Sequence, residues 1–158
     1  MKTFSELLLL LVVVIILICL LFSFAQTIFS PTLNKDFLSS VCINENCFQV
    51  ASAKTQSERE RGLMNVGSLD KDKGTLFIFD KDGIYPFWMK NTLINLDIIW
   101  IDSNKKIVFI KENAEPCKNF ICPSIVPLVK ASYVLEINAG LCQEIGLKLG
   151  DELKMNIN

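Results

Sequence analysis

Apolar residues divide the chain into one continuous hydrophobic run and a longer region of short, interrupted segments. Residues 7–25 hold 18 apolar side chains in 19 positions, interrupted only by Ser23. As a helix rising 1.5 Å per residue, this run spans about 28 Å, close to the thickness of a bilayer's hydrocarbon core. It is uncharged and apolar all round, whereas a core helix of a soluble domain would be amphipathic. The pattern therefore predicts a membrane-targeting helix.

Residues 1–25 are predicted to be an N-terminal transmembrane anchor or signal segment. Small residues stand where a signal peptidase would read them for cleavage after Ala25, which would give a secreted domain. The length of the apolar run favours an uncleaved, single-pass anchor instead. Lys2 precedes the run and the next cation is Lys35, a distribution that favours a cell-membrane protein with an extracytoplasmic domain.

The remainder of the chain is predicted to be a juxtamembrane linker, residues 26–40, and one β-rich domain, residues 41–158. Two short helices are indicated, one over residues 53–64 that stops at Gly62 and one that starts at Gly140. Strands are expected over residues 41–43, 47–50, 75–79, 87–92, 96–102, 106–111, 133–138 and 152–157. Many short strands with few helices predict a mainly β (α+β) fold, antiparallel and sandwich-like or barrel-like.

The amino-acid composition limits the possible functions and reactions of the protein more than it limits the possible folds. The chain carries 16 Lys+Arg and 17 Asp+Glu, a net charge of −1, with no block of like charge. A nucleic-acid binder normally has a basic face, so no nucleic-acid partner is predicted. Histidine is absent, which excludes Ser-His-Asp triads, Cys-His dyads and imidazole zinc sites. No cofactor or metal is predicted, and any chemistry must come from carboxylates, lysine, cysteine, tyrosine or backbone.

The first cysteine pair of the domain has a geometric interpretation. If Asn44-Glu45 is a two-residue turn, Cys42 and Cys47 face each other as a non-hydrogen-bonded pair with Cα atoms about 4.5 Å apart. That distance is at the short end of disulfide geometry. A local disulfide is therefore predicted between Cys42 and Cys47.

A second pair with the same spacing, Cys117 and Cys122, brackets a proline-rich loop and is also predicted to form a disulfide. Two alternatives stay open: reduced thiols in a host with a non-oxidising exterior, and a four-thiolate zinc site built from both pairs. Cys19 lies in the hydrophobic run. Cys142 is unpaired and is expected to be a buried apolar residue, since no histidine exists to activate it.

Polar residues among large apolar ones mark the densest stretch, residues 87–102. It places Lys90, Asn91 and Asp97 close to Trp88 in the sequence. A lysine beside an aromatic-rich strand could meet an anion or the face of a sugar ring. The structural alternative is that Trp88 belongs to the core and that Lys90 forms an ion pair with Asp97 or with Glu136.

Several ordered motifs resemble one known family. They are Arg-Gly-Leu-Met at 61–64, Phe-Trp-Met-Lys-Asn-Thr at 87–92, Leu-Asp-Ile at 96–98, Tyr-Val-Leu-Glu-Ile-Asn-Ala-Gly at 133–140 and Gly-Asp at 150–151. Their order and spacing resemble the domain-of-unknown-function 192 family over residues 41–157. The resemblance implies a small, mostly β, sandwich-like domain, often exported or membrane-anchored, and implies no established activity. Asn95 and Thr75 depart from the usual proline and methionine. The loop with Cys122-Pro123 resembles a subset of the family.

The polar candidates could form a site if they share one face. The ligand-binding candidates are Trp88, Lys90, Asn91, Asp97, Glu136 and Asn138. The leading expectation is an exported, membrane-tethered binding or accessory module at the cell surface, with a glycan or an envelope protein as ligand. One alternative is a hydrolase or carbohydrate-active enzyme that draws a carboxylate pair from Asp97, Asp102 and Glu136, with Lys90 stabilising charge. Another is a structural subunit of an envelope assembly. Catalytic residues are not assigned.

Overall fold

The computed structural model describes residues 12–18 and 37–157, which belong to two compact units, Met1–Asn34 and Lys35–Asn158. In the first unit, residues 12–18 are helical and exposed. Most of the predicted anchor, residues 1–25, and most of the predicted linker lie outside the described residues. Within the described ranges, no helix is long and apolar enough to cross a membrane.

The second unit is a β domain with two short helices. Its elements are β1 (Ser39–Ile43), β2 (Asn46–Ala53), α1 (Gln56–Arg61), β3 (Lys73–Gly83), β4 (Phe87–Trp88), β5 (Leu96–Ile101), β6 (Ile107–Ala114), β7 (Ser124–Ile125), β8 (Ala131–Asn138), α2 (Leu141–Glu144) and β9 (Leu153–Asn156). The mainly β class with few short helices is confirmed. Each expected strand and helix has an observed counterpart of different length, whereas β7 has no counterpart among the expected elements.

Seven strands form one curled sheet in the order β6-β5-β8-β3-β2-β1-β9, and β4 pairs with β7 in a separate two-stranded ribbon. Every pairing is antiparallel except that of β2 with β3, which is parallel because α1 connects the two strands. The outer strands meet at one end, where the Ile107 amide donates to the Asp151 carbonyl (2.9 Å) and the Leu153 amide donates to the Lys105 carbonyl (2.8 Å). The result is a half-barrel, so the barrel-like expectation describes it better than a sandwich.

The curled sheet is buried on both faces. Strand alternation divides the core into two clusters, so that in β5 Ile99 and Ile101 pack on one face while Ile98 and Trp100 pack on the other. The first face is the inside of the curl, where side chains of β1, β2 and β9 meet those of β5 and β8 and where α2 packs. The β4–β7 ribbon and the segment after α1 cover the second face. All six residues of β5 are buried, which explains why five of them are apolar; the exception is Asp97.

The β1–β2 hairpin has the register that the sequence predicts. Cys42 is opposite Cys47 and Ile43 is opposite Asn46, with Asn44 in the left-handed region (φ 54°) that a tight hairpin turn requires. The Cys42 and Cys47 Cα atoms are 4.0 Å apart, and their sulfurs are within bonding distance.

The second predicted disulfide is also at bonding distance, with the Cys117 and Cys122 Cα atoms 5.8 Å apart. Cys142 is buried and carries a free thiol. Burial, and secondarily the neighbouring Asp97 carboxylate, raises the pKa of that thiol far above its ordinary value. Cys142 thus has the character of a buried apolar side chain, as expected.

Two parts of the fold differ from the sequence-based expectations. The strand expected over residues 87–92 ends at Trp88, because the chain turns at Asn91 (φ 57°) and Thr92 forms an isolated bridge with Met64. Residues 112–130, over which the sequence predicts no strand, contain the end of β6 and all of β7. A two-residue strand between prolines carries no alternation from which it could be predicted.

Candidate functional site

The ribbon strand β4 and the two residues after it present one aromatic and one cationic side chain to solvent. Phe87 and Met89 point inward while Trp88 and Lys90 point outward, because successive strand residues alternate in direction. Met89 is 4% exposed and Trp88 is 46% exposed. The Lys90 ammonium lies 5.3 Å from the centroid of the Trp88 ring, a cation–π contact at the surface.

Phe87 anchors this segment to the core. Its ring packs edge to face on Phe77, with 4.7 Å between centroids, and on Trp100, with 5.5 Å. Such aromatic pairs contribute about 0.5–1.5 kcal/mol beyond the area that they bury. The Trp88 backbone therefore lies on a rigid support, and the outward ring needs little ordering before it can contact a ligand.

A groove of about 290 Å³ opens beside Trp88. It is lined by Gln56, Arg59, Glu60, Phe79, Tyr85, Pro86, Phe87 and Trp88. Aromatic rings and a proline form most of its surface, while α1 adds an amide, a guanidinium and a carboxylate. A mostly apolar lining with a few polar groups is typical of small-ligand sites. Sugar rings match such a surface well, since they combine apolar C–H faces with hydroxyl edges.

Arg59 connects α1 to the floor of the groove. Its guanidinium donates to the Ile78 carbonyl at 3.1 Å and also to the Lys54 carbonyl. It lies 5.2 Å over the Phe79 ring, which stacks in parallel on Tyr85 with 3.5 Å between centroids. Because these contacts fix the guanidinium and both rings, the groove is formed before any ligand arrives.

No residue of α1 is buried, so the helix is held in place by its N-terminal cap and by the contacts of Arg59. Thr55 and Glu58 form a capping box in which each side chain accepts from the other's backbone amide. Hydrogen bonds from the amides of Thr55 and Lys54 lower the pKa of the Glu58 carboxyl. On the exposed side, the Gln56 amide donates to the Glu60 carboxylate at 2.8 Å, so both side chains are oriented along the groove.

A narrow cleft of about 30 Å³ continues from the groove, with Glu136 among its lining residues. Glu136 is 5% exposed, and Thr92, Arg61 and Trp88 also line the cleft. The backbone reverses at Gly62 (φ +41°), where an added Cβ would lie 3.0 Å from a Phe77 ring carbon. A cleft of this size has room for a water molecule or for a hydroxyl group of a ligand.

Asp97 lies on the other face of the sheet and has a scaffold role. It is fully buried; its Oδ1 accepts from the Asn113 amide and its Oδ2 from the Cys142 amide, both at 2.9 Å. These bonds join β5 to the irregular end of β6 and to the first turn of α2. The ion pair that was considered for Lys90, with Asp97 or Glu136, is absent: alternation turns Lys90 outward to Trp88 while both carboxylates are buried.

The two asparagine candidates hold loops. The Asn138 side-chain amide donates to the carbonyls of Leu69 and Asp70 at 2.8 and 3.1 Å, which fixes the segment before β3. Asn91 is exposed, occupies the left-handed region that asparagine tolerates, and accepts at its carbonyl from the Asn65 amide at 2.8 Å. Asn91 also borders a neighbouring open cavity of about 590 Å³, so it lies at the edge of the site.

Of the six sequence candidates, the structure therefore brings Trp88, Lys90 and Glu136 to one region, leaves Asn91 at its edge and separates Asp97 and Asn138 from it. Asp102 is also remote: it follows the far end of β5, about 16 Å along the strand from Asp97, and accepts from the Lys106 amide. No cluster of three or more metal-ligating side chains occurs among the described residues.

The sequence analysis did not predict that α1 lines one side of the groove, or that the Phe79 and Tyr85 rings form its floor. Two signals could have indicated them. Tyr85, Pro86, Phe87 and Trp88 are consecutive, and strand alternation leaves only part of such an aromatic run for the core. The helix predicted over residues 53–64 is polar and charged up to Gly62, so its side chains must face solvent or a polar site.

The family resemblance is confirmed by the match of a family model, DUF192 (uncharacterized ACR), to residues 39–155. The chain belongs to the DUF192 family.

Two solved structures from bacteria are similar to it. A protein of unknown function from Novosphingobium aromaticivorans is 30% identical, with a TM-score of 0.66 over 73% of this chain and 82% of that one. A putative transcription regulator from Sinorhizobium meliloti is 33% identical, with a TM-score of 0.68 over 74% of this chain and 91% of that one. No curated protein matches the chain.

Proposed function

We propose that this protein is a membrane-anchored, extracytoplasmic binding module whose ligand is a glycan. The observation that carries the proposal is the half-exposed Trp88 ring on a rigid strand, next to a preformed groove of aromatic and planar polar groups. A sugar ring stacks on Trp88, its hydroxyls meet Gln56, Arg59 and Glu60, and one hydroxyl enters the cleft at Glu136. Anchoring and export rest on the hydrophobic run at residues 7–25.

Binding is favoured over catalysis by the positions of the carboxylates. Glycoside hydrolysis needs two carboxyl groups on either side of one bond, about 5–10 Å apart. Asp97 and Glu136 lie on opposite faces of the sheet, and both oxygens of Asp97 already accept backbone hydrogen bonds. Asp102 caps a turn beyond the same strand. The pairs that the enzyme alternative draws from Asp97, Asp102 and Glu136 therefore do not flank one bond.

Assembly through a sheet edge and nucleic-acid binding receive less support. The outer strands β6 and β9 meet at one end, which shortens the free edge that a second subunit could extend. The net charge of −1 does not favour nucleic acid. The Sinorhizobium protein's description as a putative transcription regulator has no counterpart among the surface features of residues 37–157.

The test uses the full chain in nanodiscs, titrated with neutral and uronic-acid oligosaccharides while tryptophan fluorescence is recorded. Trp100 is fully buried, so the signal of a bound sugar comes mainly from Trp88. We expect saturable quenching or blue shift with one class of oligosaccharide. Trp88→Ala should weaken binding, measured by calorimetry, at least about tenfold, as expected for an aromatic anchor.

The matched control is Leu149→Ala, which removes an exposed apolar side chain (65%) that does not line the groove. It should leave the affinity unchanged. Binding that survives Trp88→Ala would reject this groove as the glycan site, and the absence of binding to every oligosaccharide class would reject the glycan proposal.

A further inference from the structure

The three most exposed large apolar side chains of the described β domain lie in one short segment, residues 116–130. Phe120 is 101% exposed, Leu128 is 91% exposed and Ile121 is 80% exposed. Single exposed apolar residues are common on protein surfaces, but a concentration of this kind marks a surface that contacts another apolar phase. None of these three residues lines the groove beside Trp88.

The segment is held in this exposed arrangement. The Cys117–Cys122 disulfide closes the loop that carries Phe120 and Ile121, and the Cys117 amide donates to the Met89 carbonyl at 3.1 Å. After the loop, β7 pairs with β4, and Pro127 is buried just before Leu128. A rigid loop that keeps its apolar tip in water loses little conformational entropy on insertion.

The charges near these apolar side chains indicate what kind of apolar partner the segment contacts. Residues 116–130 contain two lysines and no acidic residue, in a chain whose net charge is −1. Lys118 and Lys130 are both exposed, and each lies two residues from an apolar tip, Phe120 or Leu128. Apolar residues bordered by cations are the pattern of a surface that enters the interface of an anionic bilayer.

We propose that the disulfide-closed loop of residues 117–122 inserts Phe120 and Ile121 into the interface of an anionic membrane. Leu128 provides a second apolar contact, and Lys118 and Lys130 meet the lipid phosphates. This inference goes beyond the glycan site. It requires neither a sugar ligand nor the anchoring of residues 1–25, because the contact is made by the folded domain itself.

The experiment places a fluorophore at the tip of the loop. Phe120→Trp is made in the full chain with Trp88→Phe, which leaves the buried Trp100 as a constant background. The protein is added to, or reconstituted with, bilayers of phosphatidylcholine and phosphatidylglycerol whose acyl chains are brominated. The matched control is Leu149→Trp in the same Trp88→Phe background. It places the fluorophore elsewhere on the same domain of the same full-length chain.

The proposal expects strong bromine quenching for Phe120→Trp, none beyond background for Leu149→Trp, and loss of the quenching in phosphatidylcholine alone. Lys118→Gln with Lys130→Gln should lower the ratio of docked to free loop about 25-fold, since one lysine near an anionic surface changes it about fivefold. Equal quenching at the two positions would overturn the proposal. So would a lipid-independent blue shift of Phe120→Trp that grows with protein concentration, which would indicate that a second copy covers the loop.

Discussion

Asp97 and Glu136 are both carboxylates buried in the central strands of the sheet, but they face opposite sides of it. Asp97 accepts two backbone amides and joins β5 to β6 and to α2. Glu136 lies among the lining residues of a cleft that continues from the groove beside Trp88. One face is therefore closed by secondary structure, while the other leaves a carboxylate within reach of a ligand.

The two faces differ in what covers them. The Asp97 side is the inside of the curl, where strands from both halves of the sheet meet and α2 packs directly on them. Even the thiol of Cys142 is fully buried there. On the Glu136 side, the cover consists of the β4–β7 ribbon, whose strands have only two residues each, the polar helix α1 and loops. These elements leave a groove between them. The groove therefore lies where the cover is thin, and Phe87 anchors it to the core.

The largest expected effect is on the scaffold side. Asp97→Asn keeps one acceptor oxygen but turns an NH2 group toward a backbone amide, which leaves a buried donor without an acceptor. We expect the free energy of unfolding to fall by about 2–4 kcal/mol in urea denaturation. The matched change Glu115→Gln, at an exposed carboxylate, should change that free energy by less than about 0.5 kcal/mol, and an equal loss in both variants would contradict the scaffold role of Asp97.

The same variant should also make the thiol of Cys142 more reactive toward alkylating agents. The Asp97 carboxylate contributes to the raised pKa of the Cys142 thiol, so its removal lowers that pKa and loosens the first turn of α2. Iodoacetamide should therefore label Cys142 faster in Asp97→Asn than in the wild type at the same pH. Unchanged labelling would contradict the coupling between these two residues.

A middle-sized effect is expected from the hairpin disulfide. Replacing Cys42 and Cys47 together by serine removes a short cross-link on the scaffold side, which costs about 2 kcal/mol by the loop-length relation. Oligosaccharide affinity should not change, because neither residue borders the groove. A loss of affinity with intact folding by circular dichroism would mean that the two faces are not independent.

On the site side, Glu136→Gln should weaken oligosaccharide binding about tenfold, because a hydrogen bond to a carboxylate is stronger than one to an amide. Calorimetric titration of the variant beside Asp97→Asn measures this. Asp97→Asn should keep the wild-type affinity under conditions where it is folded. The reverse order of affinities would assign the ligand to the other face.

The smallest effect is expected at Lys90. Among the residues that the structure describes, its ammonium contacts the Trp88 face at the surface, a contact that contributes about 0.5–1 kcal/mol. Lys90→Ala should therefore change stability by no more than that, and its effect should add to that of Asp97→Asn in a double-mutant cycle. A loss of several kcal/mol that the double variant partly restores would indicate an ion pair.

The sequence predicts those features whose cause is local. A two-residue turn sets the pairing of Cys42 with Cys47, and Gly62 ends α1 because the chain needs a positive φ there. Family motifs likewise indicate the whole β domain. The half-barrel's closure at Ile107 and the parallel β2–β3 pair depend on contacts between distant segments, which periodicity does not encode.

The site was only half predictable for the same reason. Trp88 and Lys90 follow from strand alternation, but the motif does not reveal that Asp97 and Glu136 face opposite sides of adjacent strands. That outcome depends on the register of β5 against β8, in which Asp97 is opposite Ile137 and Glu136 is opposite Ile98. A shift of one residue would exchange the two faces.

The most direct test of the account follows the two tryptophan indole N–H signals by NMR in the full chain during oligosaccharide titration. Trp88 is half exposed at the groove, whereas the buried Trp100 indole donates to the Tyr85 carbonyl at 2.8 Å. If a glycan binds beside Trp88, we expect the Trp88 signal to move progressively and to saturate, with a smaller change at Trp100. A titration in which binding is measured by calorimetry while the Trp88 signal stays fixed would contradict it.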